Sequence, residues 1–169
     1  MYFKANISRR IKVISLLFFL FILFDAACLT YFLINHKAES KGIPYLFLTI
    51  ILGSLLTIIA TQVSGYNITP QKLEICRRWW KQSWSLDNIL EALPEKFPFN
   101  GSIRVFGIGG VLGFYGKFRH RDGRYFSAYV TDEEKCIMLR TNQGWIAISP
   151  CKVESFLSEM KNLSTNVLK

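Results

Sequence analysis

Four cysteines, two histidines, a glycine-rich run and a short acidic turn make up the chemical inventory of this 169-residue chain of net charge +9. Zinc needs converging ligands, usually in Cys-x-x-Cys pairs or beside a histidine set. Cys28, Cys76, Cys136 and Cys151 offer neither and read as reduced, packed thiols. With only His36 and His120 available, metal catalysis is poorly supplied, and no metal or cofactor is expected. His120 has no nucleophile at a diagnostic spacing, so no Ser-His-Asp triad is indicated. Asp132, Glu133 and Glu134 read as a solvated acidic turn.

The glycines between Val105 and Lys117 can be tested against phosphate-binding loops. A dinucleotide fingerprint wants Gly at relative positions one, three and six; Gly107 and Gly109 fit, but Leu112 occupies the third place and no βαβ unit surrounds it. A P-loop ending at Gly116-Lys117 would need Gly at 111 and Ser or Thr at 118, where Val111 and Phe118 stand. Both motifs fail, and glycines among apolar residues are expected to ease strand curvature instead. With no assembled site, the chain reads as non-enzymatic.

Binding has better material. Arg77, Arg78 and Lys81 accompany Trp79, Trp80 and Trp84, and Lys117, Arg119, Arg121 and Arg124 surround one hairpin. Near an anionic bilayer each Lys or Arg contributes about 1 kcal/mol, and Trp prefers the interface. One cluster is therefore expected to touch lipid headgroups or a partner; the competing reading makes both solvated faces, with Trp79 or Trp84 in the core. Nucleic acid also reads basic and aromatic patches, but a membrane tether and modest domain charge disfavour it.

The elements that position these residues begin with two apolar runs, Val13 to Ile34 and Ile43 to Val63, joined by Asn35 to Gly42. Each reaches about 30 Å as a helix, the thickness of a bilayer's hydrocarbon core. Backbone polar groups in hydrocarbon must be satisfied internally, so the pattern predicts a transmembrane helical hairpin. Lys4, Arg9, Arg10 and Lys12 precede the first run and Lys72, Arg77, Arg78 and Lys81 follow the second, against Lys37 and Lys41 in the link. That bias predicts a multi-pass protein of the bacterial cytoplasmic (inner) membrane with both termini cytoplasmic. Ala26, Ala27 and Cys28 superficially resemble a cleavage or acylation site, but Asp25 stands where an aliphatic residue belongs and apolar character resumes from Leu29.

Asp25 is itself the odd residue, because an ionised carboxylate at helix centre costs roughly 2.5 to 3.5 kcal/mol. Antiparallel register would set it near Gly53, which lets helices approach, and Ser54, which can donate a hydrogen bond. Fastening the hairpin or a dimer is favoured over ion or proton transport, which needs several converging polar groups on more than two helices.

From residue 64 onward, fifteen Lys/Arg and ten Asp/Glu sit in about 106 residues, the size of one domain. The simplest partition is a membrane hairpin over residues 1–63 and a cytoplasmic domain over 64–169. Tyr66 and Ile68, the turn Thr69-Pro70-Gln71, then Leu73 and Ile75 predict strand, turn, strand. Leu93 to Asn100, with Pro94 and Pro98, predicts a loop. Asp122-Gly123 marks a hairpin tip; Tyr125 to Val130, Cys136 to Thr141 and Trp145 to Ile148 follow as strands of an antiparallel meander. Ser149 reads as an N-cap with Pro150 at the first helical position, ahead of an apolar face of Val153, Phe156, Leu157 and Met160. The tail after Asn162 reads as frayed.

A transmembrane hairpin followed by strands and one closing amphipathic helix resembles the bacterial pleckstrin-homology-like (PH-like) membrane proteins. The resemblance rests on Tyr66-Asn67-Ile68-Thr69 through Leu73-Glu74-Ile75, Val105-Phe106-Gly107-Ile108-Gly109-Gly110 with Gly116, Gly123-Arg124-Tyr125, Tyr129-Val130-Thr131-Asp132, and Ile148-Ser149-Pro150 before Phe156. It covers roughly Ser64 to Lys161 and implies a mainly-β PH-like barrel or sandwich capped by the carboxy-terminal helix. It brings no ligand residues with it, since the fold hosts lipid, peptide and protein binding alike. The function expected is a membrane-anchored binding or scaffold module at the cytoplasmic face, with an unknown protein partner or self-association and contact with anionic lipid. The alternative is an accessory subunit of a transport or envelope-enzyme complex.

Overall fold

Alternating apolar residues build the strands. Tyr66, Ile68, Leu73 and Ile75 are all fully buried on one face, while Asn67, Lys72 and Glu74 point the other way toward solvent. A computed structural model describes residues 1–35 and 42–163, so the expectations for the link lysines Lys37 and Lys41, for His36 and for the tail beyond residue 163 fall outside the described residues. In chain order the elements are β1 (Tyr2–Lys4), α1 (Arg9–Asn35), α2 (Gly42–Thr61), β2 (Val63–Ile68), β3 (Lys72–Arg77), β4 (Lys81–Ser85) and β5 (Ile89–Pro94). Then come β6 (Ile103–Gly109), β7 (Phe114–Arg119), β8 (Tyr125–Val130), β9 (Ile137–Thr141), β10 (Gly144–Ile148) and α3 (Val153–Leu163).

The strands form two sheets, β1-β2-β3-β4 and β5-β9-β10-β8-β7-β6, which are not hydrogen-bonded into a closed barrel. Both contribute to one core, Tyr66, Ile68, Leu73 and Ile75 from the first and Ile89, Ile137, Leu139 and Ile148 from the second. The helix α3 lays Phe156 and Met160 into that core, with Val153 and Leu157 half-buried beside them, as its periodicity predicts. A second cluster on the other face of the six-stranded sheet gathers Phe118, Phe126, Val130 and Met138 under Phe99.

Several expectations are corrected. The later strands are not an antiparallel meander: β10 pairs with β8 in parallel, Trp145 to Ile148 against Phe126 to Tyr129, while β9 turns outward to pair with β5. The supposed loop from Leu93 begins inside β5, where Leu93 and Pro94 pair with Met138 and Ile137. Pro94 is tolerated because β5 is an edge strand and its missing N–H faces no neighbour. Ser149 does not cap α3, which starts at Val153. Its Oγ accepts from Thr131 N at 2.8 Å and Asp132 N at 3.2 Å, and its own N–H donates to the Tyr66 hydroxyl at 3.0 Å. That hydroxyl donates in turn to Tyr129 O at 2.6 Å. Buried backbone donors needed a partner more than a helix end did.

The glycine-rich segment behaves as curvature demands. Gly107 and Gly116 face each other across β6 and β7, both in the left-handed region at φ 117° and 126°, and a Cβ on either would fall within about 2.2 Å of backbone oxygen opposite.

The amino-terminal segment is part of the β domain, which no sequence pattern indicated. In β1, Tyr2 to Lys4 pair with Asn67 to Gly65, and Phe3 is buried against Phe156 with ring centroids 5.1 Å apart. Ala5 N donates to Ser64 O at 3.1 Å, Ser8 N to Thr131 O at 3.0 Å, and Cys151 N to Lys4 O at 3.0 Å. The first turns of α1 remain on the domain, with Ile11 and Ser15 buried. Beyond Ser15, most of the described side chains of α1 are exposed. Residues Arg9–Tyr31 are long and apolar enough to cross a membrane, with 6% of the apolar window buried, and Tyr45–Thr61 is a shorter apolar helix. Here α1 starts before Val13, and α2 ends at Thr61, so Val63 opens β2 rather than closing a span.

The expected Asp25 contacts are not formed among the described residues. Ser54 Oγ donates to Ile51 O of its own helix at 2.8 Å, and a Cβ at Gly53 would meet nothing within 4 Å. A hydroxyl in an apolar helix finds its nearest acceptor in the preceding turn.

Ser149→Ala strips the acceptor from two buried N–H groups and should destabilise the chain by about 1–3 kcal/mol. The exposed Ser158→Ala should stay within about 0.5 kcal/mol of the parent. Denaturant unfolding of the detergent-solubilised full chain measures both.

Candidate functional site

Where α2 ends, the chain passes through Gln62 straight into β2, and the register of β2 with β3 sets Val63 opposite Arg77. The β3–β4 turn must therefore lie at the foot of α2. Arg78 N donates to Gln62 O at 3.2 Å, and Arg77 N closes the turn on Trp80 O at 2.9 Å. Arg77 itself faces inward, its guanidinium 5.1 Å from the Trp80 ring centroid and 5.0 Å from that of Tyr129. Such a position stiffens the turn by cation–π attraction. Trp79 and Trp80 stay 62% and 43% exposed, beside exposed Arg78 and Lys81. Lys81 Nζ lies 3.8 Å from Glu74, whose carboxyl is held below its ordinary range chiefly by a hydrogen bond from Lys72.

The foot of α1 lies at the same end of the domain. Ser15 Oγ accepts from Leu112 N at 2.8 Å, in the loop between β6 and β7. Tyr115, just beyond that loop, donates to Leu112 O at 2.7 Å and accepts from Val63 N at 3.5 Å, so one phenol links the loop that holds α1 to the first residue of β2. Arg10 pairs with Glu133 at 3.0 Å. Glu133 and Asp132 are each only 8% exposed, and Asp132 Oδ1 accepts from Glu134 N at 3.2 Å. The acidic turn is thus solvated only at Glu134, while Glu133 seats the start of α1.

The second basic cluster lies at the other end. Strand β7 runs from Phe114 at the helix feet to Arg119, five steps or roughly 17 Å away. There Arg119 lies over Tyr125, Arg124 over Trp145 with its centroid 5.0 Å away, and Arg124 also pairs with Asp122. Arg121 passes over Gly101, and Lys117 borders a shallow cleft with Tyr125 and Trp145. The two clusters, of which one is expected to touch lipid headgroups or a partner, therefore lie at opposite ends of the domain. Trp84 belongs to neither: it packs edge-on against Tyr129, centroids 5.4 Å apart, at the margin of the core.

A groove of about 700 Å³ runs between Pro94 and the start of α3, lined by Lys96, Lys135 and Lys152 together with Glu134 and Glu154. Its charges nearly cancel. Cys136 and Cys151 also border it, and burial pushes the Cys136 thiol well up, which keeps it protonated and unreactive. Among the described residues no three His, Cys, Asp or Glu side chains stand close enough to share a metal ion.

Residues 64–164 match the family model for the bacterial PH domain. The match starts inside β2 and ends just past α3, leaving β1 and both apolar helices outside it. No curated protein and no solved structure matches the chain.

The distal hairpin makes one pH-dependent prediction. Asp122 accepts from the Arg124 backbone N–H at 3.0 Å and from its guanidinium, with His120 Nδ1 3.0 Å away, which holds the carboxyl down to about 2 from an ordinary 3.8. A depressed pKa stabilises the hairpin above the unfolded value and loses that contribution as pH falls through the folded one. An NMR titration of Asp122 should give a midpoint near 2; a midpoint at the ordinary value would mean that the hairpin is open.

Proposed function

Because the chain belongs to the bacterial PH domain family, we propose that it is a non-enzymatic binding or scaffold module fixed to the cytoplasmic face of the bacterial inner membrane by a transmembrane helical hairpin. The observation that carries this reading is the uncovered surface of the helices. Leu16, Leu17, Leu20, Phe21, Leu23 and Phe24 in α1 are each more than half exposed, and so are Ile50, Leu52 and Leu56 in α2. Apolar side chains left bare in such number along two successive helices call for a hydrocarbon solvent.

The attachment of both helix feet to one end of the domain supports the hairpin. Whatever side the domain occupies, the start of α1 and the end of α2 occupy it too, and Arg9, Arg10, Lys12, Arg77, Arg78 and Lys81 collect there. That excess of basic residues is the pattern of a cytoplasmic flank. Membership of the bacterial PH domain family supports binding as the work of the β domain. Its partner is a protein or a second copy of the chain.

The test is topological. In a bacterial host, a green fluorescent protein fused after Lys169 should fluoresce and alkaline phosphatase fused there should be inactive, with the chain retained in membranes after carbonate washing. Active phosphatase, or release of the chain by carbonate, would overturn the proposal.

A further inference from the structure

We propose that the β3–β4 turn is a bilayer-docking element: Arg78, Trp79, Trp80 and Lys81 sit in the headgroup layer of an anionic membrane, while the basic β7–β8 tip points away from it. This rests on the membrane-anchored reading and goes further by fixing which face of the domain meets lipid. Three observations combine. First, the turn is joined to the foot of α2, with Arg78 N bonded to Gln62 O one residue past the end of that helix. Where α2 leaves hydrocarbon, the turn is at the surface.

Second, the domain has no slack with which to swing away. The foot of α1 is held through Arg10 to Glu133 and Ser15 to Leu112, and the foot of α2 runs without a linker into β2. A domain held at two feet presents one end to the plane from which they emerge. That end carries the turn and the loop around Leu112, whereas Arg119 to Arg124 stand roughly 17 Å further out.

Third, the side chains suit the layer. Trp79 is 62% exposed although it is the largest kind of apolar side chain. An indole prefers the headgroup region, where its ring is shielded and its N–H remains hydrogen-bonded, and flanking cations gain from anionic lipid. Arg77, stacked between Trp80 and Tyr129, holds the turn in this presentation instead of touching lipid.

The four tryptophans provide the probe. The full chain is reconstituted into phosphatidylcholine–phosphatidylglycerol vesicles containing a lipid brominated near the headgroup, and fractional quenching of Trp fluorescence is compared among the parent, W79F/W80F and W145F. Trp145 stands beside Arg124 at the distal tip and serves as the internal reference. Quenching should fall severalfold in W79F/W80F and persist in W145F. Unchanged quenching in W79F/W80F, or an equal loss in W145F, would overturn the docking proposal while leaving the anchor intact. A chain that fails to float with the vesicles on a density gradient would overturn the anchor and the docking together. The substituted Trp79 and Trp80 are exposed, so folding is not at stake, and circular dichroism of each variant checks this.

Discussion

Three residues of β1 close a loop around both apolar helices. Ile68 N donates to Met1 O at 2.8 Å across 67 positions of chain, and Tyr2 to Lys4 continue the ladder along β2. Tying ends that far apart costs roughly 4 kcal/mol of chain entropy. Burying Phe3 and Ile11, each worth about 1.5 to 3 kcal/mol, offsets a cost of that size. The helices reduce it further, because α1 and α2 take 27 and 20 residues of the loop out of the flexible chain. The pairing thus depends on the helices, and the helix feet are held by the pairing.

That mutual dependence shapes the rest of the molecule. The matched family region starts at Ser64 and contains the sheets and α3, yet the first sheet gains its outer strand from before the helices. Strand β1 covers the edge that β2 would otherwise leave open, which removes a template for unwanted pairing. The buried hydroxyl of Ser149 and the phenol of Tyr66 then connect β2, β8 and the approach to α3, so that the segments beneath the helix feet share one hydrogen-bonded network. In the proposed reading, this makes the domain a rigid fixture on the membrane with a chosen face toward lipid and the other free for a partner.

Local patterns were legible where one stretch of sequence carries the whole cause. Alternation at Tyr66, Ile68, Leu73 and Ile75 gives the strands, the spacing of Val153, Phe156, Leu157 and Met160 gives the closing helix, and Asp122-Gly123 gives the tip. What was missed depends on distant partners. Three residues cannot display a period, so β1 is hidden in what reads as a basic flank. Ser149 before Pro150 looks like a helix cap because its real donors, Thr131 and Asp132, are contributed by another strand end. Parallel pairing of β8 with β10 and the sheltering of Glu133 by Arg10 are likewise invisible to local composition. The candidate site was half legible: Arg77 to Lys81 stand out by residue type, but only the β2–β3 register places them at the foot of α2 and turns Arg77 inward.

Hydrogen exchange of the full chain in lipid nanodiscs tests the closed loop most directly. The amides of Ala5, Ser8, Ile68 and Cys151, which tie the amino-terminal segment to the sheets, should exchange as slowly as those of Ile146 and Ile148 in the central strand β10. Exchange of those four at the rate of an open loop, with β10 still protected, would show that β1 and the helix feet are not fastened to the domain.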